Sequence, residues 1–116
     1  MQHIPDAVLA LMAEKFRMLS DATRLAILRA LMAGEKSVGA ICQETGHSQA
    51  NVSKHLKLLA QAGLLARRKE GLQVYYTLDD PMIERLCKLV CETIVRDFEE
   101  SVRHRKRVVA ALKGRS

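Results

Sequence analysis

The side chains best suited to covalent or metal chemistry in this sequence are three cysteines, Cys42, Cys87 and Cys91. Cys87 and Cys91 are four residues apart, a spacing that puts both on one face of a helix. Two thiolates so placed can hold a soft ion such as As(III), Cd(II) or Cu(I). A third sulfur from Cys42 would suit As(III), although no spacing brings Cys42 to the pair. The thiols could instead answer oxidants or polysulfide, across a dimer or together with Cys42. A disulfide closed within one helix at this spacing would be strained. Packing is the competing reading and the weightier one, because free cysteine fills cores as a small hydrophobe. It weighs most for Cys42, beside Val38 and Ile41. A cysteine nucleophile would need a positioned base, yet His3, His47, His55 and His104 are scattered and no motif sets one beside a thiol. There is also no phosphate-cradling glycine loop, nucleophile elbow or paired-acid pattern, so no enzyme is expected.

A second group of side chains suits nucleic acid. In the stretch from Gly46 to Gly63, Ser48 can cap a helix whose buried stripe is Val52, Leu56 and Leu59. The opposite side presents Gln49, Asn51, Ser53, Lys54 and Lys57. Amides and hydroxyls hydrogen-bond to base edges, and lysines neutralise phosphates. An ordinary amphipathic surface helix would look similar, and the neighbouring stretches decide between the two.

The 116 residues fit one domain, and a net charge of +6 suits an acidic partner such as double-stranded DNA. With two Tyr, two Phe and no Trp, the core must be aliphatic. No apolar run is long enough to cross a bilayer, and the N-terminus lacks the pattern of a secretory signal. The chain is therefore expected to be cytoplasmic with no membrane partner, and its thiols reduced. The odd cysteine count likewise argues against a disulfide framework.

These side chains need elements to position them. After a loose lead-in, Met1–Pro5, Asp6 can cap a first helix running to about Leu19, with Val8, Leu9, Met12, Phe16 and Leu19 on one face. Ser20-Asp21 breaks it and caps a second, over Ala22 to Met32, with Leu25, Leu28, Leu31 and Met32 at helical spacing. Ser37 starts a short third helix with Val38, Ile41 and Cys42 inside, ended by Gly46. Two short helices joined by a tight turn make a helix-turn-helix, over about 37–62. Leu64 to Lys69 and Gln73 to Leu78 read as strands about a Glu70-Gly71-Leu72 turn, a hairpin or wing over about 64–78. Its first arm carries Arg67, Arg68 and Lys69, which could lie near phosphates or the minor groove, or keep a strand edge charged. Asp79-Asp80-Pro81 opens a last helix, over about 80–109, with Ile83, Cys87, Val90, Ile94, Asp97 and Ser101 at seven-residue repeat positions, of which Asp97 and Ser101 spoil a strict coiled coil. So long an apolar face on a small domain reads as a dimerisation helix, ending in a basic tail from Arg103 to Arg115. The expected fold is mainly α with a small β-hairpin: a winged helix-turn-helix spanning 1–116, its flanking helices forming a homodimer interface.

Leu19-Ser20-Asp21-Ala22-Thr23-Arg24-Leu25-Ala26-Ile27-Leu28 resembles the second-helix signature of the ArsR/SmtB family of bacterial winged-helix repressors. Ser48 to Leu56 resembles its recognition helix, and Ala62 to Leu65, Arg67 to Gly71 and Val74 to Leu78 its wing. The resemblance implies a homodimeric repressor that binds an inverted-repeat operator and is released by a chemical signal. It puts Ser48, Gln49, Asn51, Ser53 and His55 where family members meet DNA, with Gln49 and Ser53 as base readers; His55 can alternatively pack or touch a phosphate. The family's inducer sites do not carry over. The positions matching the Cys-x-Cys of arsenic sensors are Ser37 and Gly39. Those matching the zinc site are Asp80, Met82, Thr93 and Arg96, so no zinc is assigned. Any inducer is then left to Cys87 and Cys91, with As(III) or another soft metal ion as the possible ligand. The alternative function is a winged-helix DNA-binding protein with no inducer and purely structural cysteines.

Overall fold

The computed structural model describes residues 3–114; Met1 and Gln2 of the expected lead-in and Arg115 of the basic tail lie outside them. The elements are α1 (Asp6–Met18), α2 (Ala22–Leu31), β1 (Lys36–Ser37), α3 (Val38–Thr45), α4 (Gln49–Gln61), β2 (Leu65–Glu70), β3 (Gln73–Leu78) and α5 (Pro81–Lys113). They divide into two units, one ending at Pro81 and one beginning at Met82.

In the first unit, side-chain caps mark where three helices begin. Asp21, Ser37 and Ser48 each accept from the backbone N–H three residues on, of Arg24, Ala40 and Asn51, at 2.9, 3.1 and 3.2 Å. α1 differs from expectation. Its N-cap is Pro5, which offers no side-chain cap, and Asp6 is the first helical residue, where its charge favours the positive end of the helix dipole.

Helices α2, α3 and α4 pack on one another and on the sheet. Ile27, Leu28, Ile41, Val52, Leu56, Leu59 and Leu64 are fully buried. Each such side chain contributes about 1.5–3 kcal/mol of transfer free energy. The stripe expected on α4 is therefore the buried one. On α2 the buried arc is rotated: Ile27 and Ala30 are inside and Leu25 is exposed. That follows from α2 meeting both α3 and α4, which widens its buried face beyond one narrow stripe. On α3 only Ile41 is fully buried, with Val38 and Cys42 half-buried.

The wing is a sheet of three strands rather than two, antiparallel in the order β1-β3-β2. The extra strand pairs Lys36 with Tyr76 and Ser37 with Tyr75. Two residues are too few for an alternating pattern to announce a strand. The β2–β3 register runs from Leu65 opposite Leu78 to Glu70 opposite Gln73. This leaves a two-residue loop, Gly71-Leu72, in which only Gly71 has positive φ, at 59°. Glycine first is the signature of a type II′ hairpin turn, whose twist matches that of the strands.

The second unit is the body of α5, 33 residues in all and therefore about 50 Å long. It extends past the expected end near Val109 through Ala110, Ala111 and Leu112, all good helix formers. Leu89, Val90, Ile94, Val95 and Phe98 are exposed along it. No described helix is long and apolar enough to cross a membrane.

The turn between α3 and α4 depends on Gly46, at φ 75°, whose N–H donates to the Cys42 carbonyl at 2.9 Å. A side chain there is opposed by the left-handed backbone and not by crowding, since an added Cβ would meet nothing within 4 Å. Gly46→Ala should therefore lower the unfolding free energy by about 1 kcal/mol, read in urea denaturation as a lower midpoint with an unchanged m-value.

Candidate nucleic-acid interface

The face of α4 away from the core carries Gln49, Lys54 and Lys57, all exposed; Ser48 is exposed at its cap. Asn51 and Ser53 are half-buried at the margins of that face. In the helix-turn-helix arrangement the N-terminal turns of the second helix reach base edges, and these are the residues found there.

His55 stands apart from the others. Its ring is 7 % exposed, on the same side of α4 as Val52, Leu56 and Leu59. Its Nδ1 lies 3.4 Å from an Arg24 guanidinium nitrogen. An arginine can only donate, so Nδ1 is the acceptor and the proton of the neutral ring is on Nε2. Burial pushes the His55 pKa down from its ordinary value, against the opposing pull of the Asp21 carboxylate. Of the two roles expected for His55, packing or DNA contact, the buried ring facing Arg24 is the arrangement of a packed side chain in the free protein.

Arg24 does more than face His55. Its Nε donates to the Met18 carbonyl at 2.8 Å and its Nη2 to the Arg17 carbonyl at 3.1 Å. Both carbonyls lie at the end of α1, where intrahelical donors run out, and that of Arg17 also accepts from the Ser20 N–H and hydroxyl. One guanidinium thus links the end of α1 to the back of α4.

The three basic residues of the wing divide by strand alternation. Arg68 and Tyr75 are cross-strand partners, and the Arg68 guanidinium lies over the Tyr75 ring at 4.6 Å. It also makes a two-pronged pair with Glu35, Nε to Oε2 at 3.1 Å and Nη2 to Oε1 at 2.7 Å, and a further pair with Glu70 at 2.5 Å. The Glu35 hydrogen bonds lead in raising the Arg68 pKa still further, and Arg68 holds the Glu35 carboxyl below the usual range. Arg68, expected near phosphates or the minor groove or at a charged strand edge, ties the wing to the turn before β1 through Glu35, with about half of its side chain still exposed. Arg67 and Lys69 lie on the other sheet face, opposite Tyr76 and Val74. Among the described residues no ion pair engages Arg67, Lys69, Lys54 or Lys57.

An open cleft of about 380 Å³ separates the start of α4 from the wing tip; Gln49 lines one wall and Leu72, Gln73 and Val74 the other, with Cys42 between.

The other thiols are on α5, Cys87 half-buried and Cys91 exposed. Burial pushes the Cys87 thiol up, which keeps it protonated at neutral pH. Asp80, at the position matching a zinc ligand, is committed to Lys15 at 2.6 Å. Among the described residues no three His, Cys, Asp or Glu side chains are grouped to hold a metal ion. Sequence reasoning missed Glu35, Tyr75 and Leu72. A two-residue loop, in place of the three-residue turn assumed, would have put Arg68 opposite Tyr75.

A capped reading helix, its supporting helices and a basic hairpin together define a winged helix-turn-helix of the DNA-binding class. A family model described as a helix-turn-helix domain matches residues 19–68. The chain is 36 % identical over 83 residues to the HTH-type transcriptional regulator KmtR of Mycobacterium tuberculosis, covering 72 % of this chain and 64 % of that one. It is 38 % identical over 78 residues to the arsenical resistance operon repressor of Escherichia coli, covering 66 % and 67 %. The chain thus spans just under two thirds of the length of KmtR. Its fold matches the homodimeric winged helix-turn-helix DNA-binding domain of Mb0332 of Mycobacterium bovis, a possible ArsR-family transcriptional regulator, with a TM-score of 0.74, 32 % identity and coverage of 86 % of this chain and 95 % of that one. The chain belongs to the ArsR/SmtB family of transcriptional regulators.

The His55 arrangement has a pH signature. With its folded pKa depressed below the ordinary 6.5, the native state binds fewer protons than the unfolded chain between the two values. The contribution is whole above about pH 6.5 and is lost as the pH falls through the folded value. The thermal midpoint of the wild type should therefore fall between about pH 7 and 5 more steeply than that of His55→Gln, which cannot titrate.

Proposed function

We propose that this protein is a homodimeric transcriptional repressor that binds an inverted-repeat operator and is released from it by a chemical signal. The observation that carries this reading is the set of unpaired cations, Lys54, Lys57, Arg67 and Lys69, on a reading helix and wing that also expose Gln49. Cations without internal partners release counterions when they meet a duplex, the main source of DNA affinity. Gln49, with Ser48, Asn51 and Ser53 beside it, supplies the hydrogen-bonding groups that distinguish bases. Dimerisation is supported by the exposed apolar side chains of α5 and by Val8, Leu9 and Phe16 on α1, which a single protomer leaves in water. The homodimeric relative Mb0332 points the same way. Two copies would set two reading helices on half-sites one helical turn, or a multiple of it, apart.

For the signal, we propose a soft metal ion such as As(III), or a thiol-reactive oxidant or polysulfide, acting at Cys87 and Cys91. The pair sits one turn apart on α5, and the relative from E. coli is named for arsenical resistance. Binding would favour a dimer whose reading helices are spaced wrongly for the operator, with a coupling of about 1–3 kcal/mol and release of roughly five- to 150-fold. A second reading, a repressor whose cysteines only pack, is favoured by the raised pKa of Cys87.

Two measurements test these assignments. Gln49→Ala should relax sequence preference, whereas Arg67→Ala or Lys69→Ala should weaken binding to all duplexes and lower the salt slope by about 1 each. Similar behaviour of the two groups would refute the division between reader and wing. In fluorescence anisotropy on the DNA upstream of its own gene, arsenite, Cd(II), Cu(I) or an organic polysulfide should release the reduced wild type and spare the Cys87→Ser/Cys91→Ser variant. Retention of the wild type under all four agents would establish the packing reading.

A further inference from the structure

Leu72 is fully exposed at the wing tip, while Val74 and Tyr76 on the adjoining strand are half-buried and buried. Nothing in the hairpin asks for leucine there. Gly71 already supplies the positive φ, and the second loop position suits small polar residues such as Asn, Ser or Asp. Of the large apolar side chains described, Leu72 is the most exposed, at 101 %, and it stands at the apex of a basic hairpin.

We propose that Leu72 is a wedge that enters the minor groove beside the reading helix and selects operator flanks by how easily their base steps unstack. The inference rests on the DNA-binding reading above and goes beyond it to a residue that hydrogen-bonds to no base. The cleft gives the geometry: Gln49 is on one wall and Leu72 on the other. In a duplex one sugar-phosphate strand separates a major groove from the neighbouring minor groove. With Gln49 in the major groove and that strand in the cleft, Leu72 points at the minor groove. Lys69, unpaired and opposite Val74 on the cleft wall, is placed to neutralise the intervening phosphates. The Glu35 and Glu70 pairs of Arg68, with its Tyr75 contact, hold the hairpin in place, so little ordering is left to be done on binding.

Inserted apolar side chains partly unstack a step and kink the duplex by roughly 20–90°. TA and CA/TG steps yield most readily, so the wedge would favour them over stiff A-tracts.

The test begins with duplexes that the wild type selects from a random pool. Bend angle is then measured by end-to-end energy transfer, and affinity by anisotropy, for wild type, Leu72→Gln and Leu72→Met. Leu72→Gln should lose about tenfold in affinity on flanks with a flexible step, the cost of one mismatched pair, and little on stiff flanks. Its bend should shrink and its salt slope stay unchanged, since no charge is altered; Leu72→Met should behave as wild type. If Leu72→Gln keeps the wild-type bend and flank preference, or if Leu72→Met loses both, the wedge is refuted while DNA binding stands. If the wild type selects no duplex, the DNA-binding reading fails and the wedge with it.

Discussion

One guanidinium organises the DNA-facing half of this protein. Arg24 donates to two carbonyls at the end of α1, one of them shared with Ser20, and lies against the ring of His55 on α4, and its own backbone N–H is taken by the cap of its helix, Asp21. The reading helix is thus fixed from behind, at a point where α1, α2 and α4 meet. A base-reading helix has to be held rigidly, because its side chains reach base edges only at particular distances and angles. This gives the Ser20-to-Arg24 signature a physical content. Asp21 begins α2, and the arginine three residues on returns to finish α1 and to brace α4. The same contact accounts for the burial of His55 on a helix whose neighbouring Lys54 and Lys57 are exposed.

In the wing, strand alternation decides which cations are available. Arg67, Arg68 and Lys69 are consecutive and read alike as a basic run. The pleat sends Arg68 to the face of Tyr75 and Glu70, where Glu35 completes its neutralisation, and sends Arg67 and Lys69 to the face of Val74 and Tyr76. Of the three formal charges on β2, one is therefore paired within the protein and two are not.

Much of this was legible in the sequence because the signals were local. Asp21, Ser37 and Ser48 announced helix starts, Gly46 a tight turn, and the apolar spacing of Val52, Leu56 and Leu59 the buried face of α4. What was not legible depended on partners distant in the chain. Glu35 meets Arg68 across 33 positions, and Arg24 meets His55 across 31. The two-residue β1 has no periodicity to read, and the rotation of the buried arc on α2 is set by two neighbours at once. Among the site residues, residue type gave the polar face of α4, but which wing cation stays free required the register.

The distribution of aromatic side chains has a practical side. There is no tryptophan, and the two tyrosines are neighbours, Tyr75 and Tyr76, both on β3. One lies beneath the guanidinium of Arg68 and the other is almost wholly buried. Emission excited in the phenol band, and the near-ultraviolet dichroism of the same rings, therefore originate in the wing. The hairpin is a built-in spectroscopic reporter, and its docking or loosening can be followed optically with no label attached.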